Sequence, residues 1–147
     1  MKIFLIGPMG SGKSKIGKIL SSELNKDLFD LDKEIEKGLN LSINEIFKLK
    51  GEAYFRGIET KYLKKSLELK DCIVSTGGGI VESEENLNLL KNEKYVIFLN
   101  SKVESQFENT KGSDKRPLLN LSNPKEILQK LYDNRIDKYK KVAKMEF

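Results

Sequence analysis

The chain has 147 residues, 38% of them hydrophobic and 33% charged, with a net charge of +5. This suits one domain with a real core, and no apolar run approaches the ~18 residues of a membrane span or the core of a signal peptide. One cysteine, Cys72, excludes a disulfide framework within the chain and suits a reducing cytoplasm, while the absence of His excludes histidine bases and histidine metal sites.

Ile3–Ile6 reads as a buried strand. It runs into Gly7-Pro8-Met9-Gly10-Ser11-Gly12-Lys13-Ser14, which satisfies G-x-x-x-x-G-K-[ST], the phosphate-binding loop. Glycines let such a loop wrap an anion with backbone N–H groups, and the following helix aims its N-terminus at the same charge. Ile16, Ile19, Leu20 and Leu24 give that helix an apolar stripe. Lys13 would reach the β- and γ-phosphates, and Ser14 would place its hydroxyl on Mg²⁺.

Leu28-Phe29-Asp30 is the second strand, ending at Asp30-Leu31-Asp32. Carboxylates two apart at a strand end share a side. In an open α/β sheet they lie in the ligand crevice beside the phosphate loop. One can hold a water on Mg²⁺ and the other can accept a hydroxyl proton. The bland reading is that one of them caps a helix over Lys33–Lys37. Leu41–Lys50 is a short helix with Ser42 and Glu45 as a capping box. Gly51 breaks it, and Glu52–Leu69 is a longer helix. Arg56 and Glu59 can meet at i,i+3, either as a surface ion pair or as an anion ligand with its orienter.

Cys72–Thr76 is a third buried strand, followed at once by Gly77-Gly78-Gly79. Such a run is a flexible turn, or a place where a ligand comes close to the backbone. Ser83–Lys91 is a helix, Tyr95–Leu99 a clear strand, and residues 102–110 a helical patch. Residues 111–120 form a polar, Gly-bearing loop with Arg116 near its end. This is lid-like composition, in which Arg116 is either an exposed loop residue or a charge brought over phosphates on closure. Pro124 starts a long helix to about Val142. Its apolar face holds Leu128, Leu131, Ile136, Tyr139 and Val142, and also Arg135, which therefore needs an anionic partner. Residues 144–147 begin a last strand. The order β-α-β-α-α-β-α-β-α, with a short final β, is a three-layer α/β fold. About five parallel strands are flanked by helices in one domain over 1–147.

The basic residues divide into 24 Lys and 3 Arg, the latter at 56, 116 and 135. The lysines are spread among acidic residues, which reads as a solvated surface without a nucleic-acid footprint. An arginine fork, unlike lysine, grips a carboxylate or phosphate in bidentate fashion.

The chain resembles the shikimate kinase family over nearly its whole length. The marks, in order, are the phosphate loop, Phe29-Asp30-Leu31-Asp32, Gly51-Glu52 with Phe55-Arg56 and Glu59, Ser75–Gly79, Arg116-Pro117-Leu118-Leu119, and Arg135 with Tyr139. All three arginines fall on functional positions of that family. The resemblance implies ATP- and Mg²⁺-dependent phosphorylation of shikimate at its 3-hydroxyl, in the cytoplasmic route to chorismate and the aromatic amino acids. It implies a nucleoside-monophosphate-kinase-like P-loop fold, with a substrate-binding helical region at about 31–63 and a lid at about 111–120. By the same pattern Gly10, Ser11, Gly12, Lys13, Ser14 and Lys15 cradle ATP phosphates, and Ser14 ligates Mg²⁺ with Asp30 holding it through water. Asp32 binds shikimate and is the base. Arg56 and Arg135 hold the shikimate carboxylate beside Gly77, Gly78 and Gly79, and Arg116 reaches the phosphates.

Two departures follow from the resemblance. Asn109 stands where the family usually carries an arginine near adenine, so weaker or less base-selective nucleotide binding is expected. Family members usually continue through a last strand, an adenine-side loop and a helix, whereas this sequence ends at Phe147, so lower stability is expected of a monomer. A kinase for another small hydroxy acid and a weak or inactive nucleotide-binding domain are the alternatives.

Overall fold

The computed structural model describes residues 1–111 and 123–147. Five strands, β1 (Lys2–Ile6), β2 (Asp27–Asp30), β3 (Cys72–Ser75), β4 (Val96–Phe98) and β5 (Met145–Glu146), form one sheet in the order β2-β3-β1-β4-β5. Every pairing is parallel, with Phe4 opposite Val74 on one side and Val96 on the other. Parallel strands need crossovers, and helices carry them: α1 (Lys13–Leu24), α2 (Leu31–Leu39), α3 (Ile43–Lys50), α4 (Glu52–Leu67), α5 (Glu84–Lys91), α6 (Val103–Thr110) and α7 (Pro124–Val142). Because helices cover both faces, β3 is buried throughout and β1 at all but its first residue.

The strand period of two divides the core. Phe4, Ile6, Val74, Val96 and Phe98 point to one face, where they meet Tyr139 and Val142 of α7 and Leu87 and Leu90 of α5. Ile3, Leu5 and Ile73 point to the other, against Ile16 and Leu20 of α1. A satellite core of Ile35, Ile46 and Phe55 ties α2, α3 and α4 together beside the carboxyl end of β2.

Three expectations change. The stripe on α1 is narrower than its spacing suggests: Ile19 and Leu24 are 49% and 41% exposed. The buried contact is made by Gly17, where an added Cβ would stand 3.0 Å from Leu28 Cδ1, so a glycine brings this helix down onto the sheet. Second, the helix after Asp30 starts at once and runs to Leu39, because Asp30 is its N-cap and Leu31 and Ile35 bury one face. Third, the crossovers are longer than the expected order, with α2, α3 and α4 between β2 and β3, and α6 and α7 between β4 and β5. The capping box on α3 forms as expected, with Glu45 N–H donating to Ser42 Oγ at 3.1 Å and Ser42 N–H to Glu45 Oε1 at 3.0 Å. The start of a last strand forms as β5, with Ile97 opposite Met145.

Candidate active site

The carboxyl ends of β1, β2 and β3 open into one cleft of about 530 Å³. Its walls hold Gly10, Gly12, Lys13, Ser14 and Lys15 at one end and Asp32, Arg56, Gly77, Gly78, Gly79 and Arg135 at the other, with Asp30 among them. Of the described candidates, only Ser11 does not line it. Arg116 and its Pro117-Leu118-Leu119 neighbours, with the lid expectation beyond Lys111, lie outside the described residues.

The phosphate loop is held by its own backbone. Gly10 and Gly12 have φ of +76° and +91°, which favour glycine. Lys13 is 8% exposed, and its Nζ donates to the Gly7 and Pro8 carbonyls at 2.6 and 2.8 Å. The ammonium is thereby held over the loop. Gly12 gives α1 no side-chain cap, and the first turn of α1 carries no acidic residue, so its positive end is left for an anion.

Asp30 does two things at once. As N-cap of α2 its Oδ1 accepts from Lys33 N–H at 3.3 Å, and its Oδ2 accepts from Ser14 Oγ at 3.1 Å. The capping reading and the site reading therefore both describe Asp30. Asp32 lies in the first turn of α2 rather than on the strand, so a helix turn and not strand alternation brings it into the cleft. A hydroxyl beside a carboxylate is a hard oxygen donor pair, which suits Mg²⁺ completed by phosphate oxygens and water. Among the described residues no cluster of three or more acidic, His or Cys side chains is placed to hold a metal ion.

The opposite wall is built around the three glycines. None has a positive φ, so they serve space rather than turning. An added Cβ on Gly77 would stand 3.0 Å from Asp32 Oδ1 and 3.2 Å from Glu59 Oε2. One on Gly79 would overlap the Arg56 guanidinium at 2.3 to 2.6 Å, and one on Gly78 would stand 3.1 Å from Met9 N and 3.7 Å from Arg135 Nη1. The backbone is thus approached closely by the protein's own charged groups and by the phosphate loop. Arg56 Nη1 donates to Glu59 Oε1 at 3.0 Å. Burial pushes the Glu59 carboxyl up to about 7, Arg56 offsets part of that, and the Asp32 charge adds to it.

Arg135 is 5% exposed on α7, and its Nε stands 3.4 Å from Glu82 Oε1. This meets the requirement of an anionic partner. One turn on, Tyr139 Oη donates to the Gly78 carbonyl at 2.5 Å, pinning α7 to the glycine run. Glu82 was not legible as a partner: it lies 53 positions before Arg135, and no spacing rule links them. Nor were Ile43 and Phe47 of α3, which line the cleft but belong to no motif that singles them out.

A sequence model of the family described as shikimate kinase matches residues 9–147. The chain belongs to the shikimate kinase family. A shikimate kinase of Persephonella marina is 44% identical over 133 residues, covering 90% of this chain and 80% of that protein. One from Haemophilus influenzae is 42% identical over 142 residues, covering 96% and 79% respectively. The structure of a shikimate kinase from Acinetobacter baumannii in complex with shikimate superposes with a TM-score of 0.97 at 36% identity, over 99% of this chain and 82% of that one. A deoxyadenosine kinase from M. mycoides superposes at 0.62 with 19% identity, which shows the shared P-loop kinase fold.

Proposed function

We propose that this member of the shikimate kinase family is an ATP-dependent kinase that phosphorylates the 3-hydroxyl of shikimate, giving shikimate 3-phosphate and ADP. The observation that carries the reading is that one cleft joins a phosphate loop to a carboxylate and two arginines. Arg56 and Arg135 bind the acceptor carboxylate, with Glu59 and Glu82 orienting them. Asp32 accepts the hydroxyl proton as the acceptor oxygen bonds to the γ-phosphorus. The bond to the bridging oxygen breaks, and ADP leaves with that electron pair. Lys13 and the backbone N–H groups of Gly10 to Lys15 hold the phosphates. Arg116 is assigned to the γ-phosphate on the strength of its sequence context. Ser14 and Asp30 would hold Mg²⁺, which would neutralise phosphate charge when bound. The reading places a monomer in the cytoplasm, feeding chorismate and aromatic amino-acid synthesis.

The test is shikimate-dependent ADP release with Mg-ATP, on the wild type and on Asp32→Asn. Expected is turnover that requires shikimate and falls by about 10²–10⁴-fold in the variant, the range of one general base, with shikimate still bound. Binding of ATP without binding of shikimate would assign the cleft to another small hydroxy acid. Binding of both without turnover would leave an inactive nucleotide-binding domain.

A further inference from the structure

Helix α6 meets the phosphate loop at Gly10. An added Cβ there would stand 2.6 Å from the Gln106 carbonyl oxygen, 2.9 Å from Gln106 Cα and 3.0 Å from Thr110 Cγ2, so only glycine admits the helix this closely. Between those two residues, Asn109 Nδ2 donates to the Gly10 carbonyl at 2.8 Å. Gln106, Asn109 and Thr110 are spaced i, i+3, i+4 and share one face. That face is rigid. Gln106 is 1% exposed with its Nε2 on the Ser101 carbonyl at 2.8 Å, and Thr110 Oγ1 donates to the Gln106 carbonyl at 2.8 Å.

The consequence lies in the peptide plane between Gly10 and Ser11. In a trans peptide the C=O and the following N–H point opposite ways. With the Gly10 oxygen drawn toward α6, the Ser11 N–H is turned into the loop, where it donates to the Pro8 carbonyl at 3.2 Å. This closes the turn of the loop on the Pro8 carbonyl, which also accepts from Lys13 Nζ at 2.8 Å. Gly10, on one side of this peptide, lines the cleft, as does Gly12 beyond it, whereas Ser11 does not.

We infer that Asn109 is a positioning residue of the nucleotide site: its side-chain amide fixes the Gly10–Ser11 peptide and, through it, the shape of the phosphate loop. The inference rests on the reading of this loop as the ATP phosphate site. It differs from the role that resemblance alone suggests for the position, which is contact with the base. An effect exerted on the loop acts on phosphates and is blind to the base. It is also separate from the acceptor end of the cleft.

The experiment is calorimetric titration of wild type, Asn109→Ala and Asn109→Leu with Mg-ADP, Mg-GDP and shikimate, alongside thermal unfolding. Asn109→Leu keeps much of the size and removes the donor without adding a charge beside the phosphates. Both variants are expected to weaken ADP and GDP equally, by about fivefold, the equilibrium weight of one ordinary hydrogen bond. The shikimate affinity stays at its wild-type value, and the unfolding midpoint falls by no more than the few degrees that one hydrogen bond costs. In turnover the loss falls on the KM for ATP rather than on the KM for shikimate. ADP binding unchanged within about twofold overturns the inference, since a lost hydrogen bond would exceed that. So does loss of ADP binding with GDP spared, which would put Asn109 on the base. A parallel fall in shikimate affinity and unfolding midpoint would make its role merely structural, and also overturns it. If wild type binds neither nucleotide, the reading of the loop fails first, a result distinct from all of these.

Discussion

Asp32 and Glu59 reach Gly77 from different helices, and their chemistry diverges because their surroundings do. Both line the cleft, but Glu59 is only 1% exposed, facing Arg56, Asp32 and Arg135. Burial raises the Glu59 carboxyl from 4.5 to about 7, so the folded state holds this proton more tightly than the unfolded chain. Its contribution to stability is complete below pH 4.5 and is lost as the pH rises through about 7. Glu59→Gln is neutral at every pH and removes the dependence. Between about pH 5 and pH 8 the thermal midpoint of wild type should fall more steeply than that of Glu59→Gln. Parallel slopes would show that Glu59 is already ionised in the fold. Glu82 presents a simpler case. Removing it by Glu82→Ala takes the carboxylate from Nε of a buried arginine, so shikimate affinity and stability should fall together, measured by titration and thermal melting.

Among the elements, the glycine run after β3 is a spacer between α2, α4 and α7. The contact at Gly79 is with the far end of a flexible side chain, so a methyl group there displaces the Arg56 guanidinium instead of breaking the backbone. Gly79→Ala should therefore fold, bind ADP normally and lose shikimate affinity, a split visible by titrating each ligand separately. Equal losses for both ligands would mean that the run shapes the whole cleft. Helix α3 forms one rim through Ile43 and Phe47, and its start is secured by the Ser42–Glu45 box. Ser42→Ala is expected to cost about 1 kcal/mol in denaturant unfolding, the usual weight of such a cap.

The whole molecule provides its own reporter of global opening. Cys72 is the single thiol of the chain, is buried in β3, and has its pKa raised by that burial. A thiol reagent should reach it only from the opened chain, so labelling tracks the open population. The phosphate loop and the arginines line one cleft that exists only in the folded chain, so Mg-ADP and shikimate should each slow labelling, by about 100-fold at 100 times their dissociation constants. Labelling indifferent to shikimate would mean that the folded chain does not bind it.

Much of this protein is written locally. The phosphate loop, the buried runs at Ile3–Ile6 and Cys72–Ser75, the capping box and the proline start of α7 depend on neighbours within a few residues, where spacing and backbone chemistry suffice. The demand of Arg135 for an anion was equally legible, because a charge on an apolar stripe cannot stand alone. Other features needed the fold. The identity of that anion, the double duty of Asp30, the purpose of Gly77–Gly79 and the grip of Asn109 on Gly10 all depend on which elements the sheet order places together. Gly10 and Asn109 are 99 positions apart, and Glu82 and Arg135 are 53 apart. No periodicity spans such distances. They are brought together by the parallel crossovers that set β3 and β4 on either side of β1, and this packing also gathers loop, carboxylates and arginines at one end of the sheet.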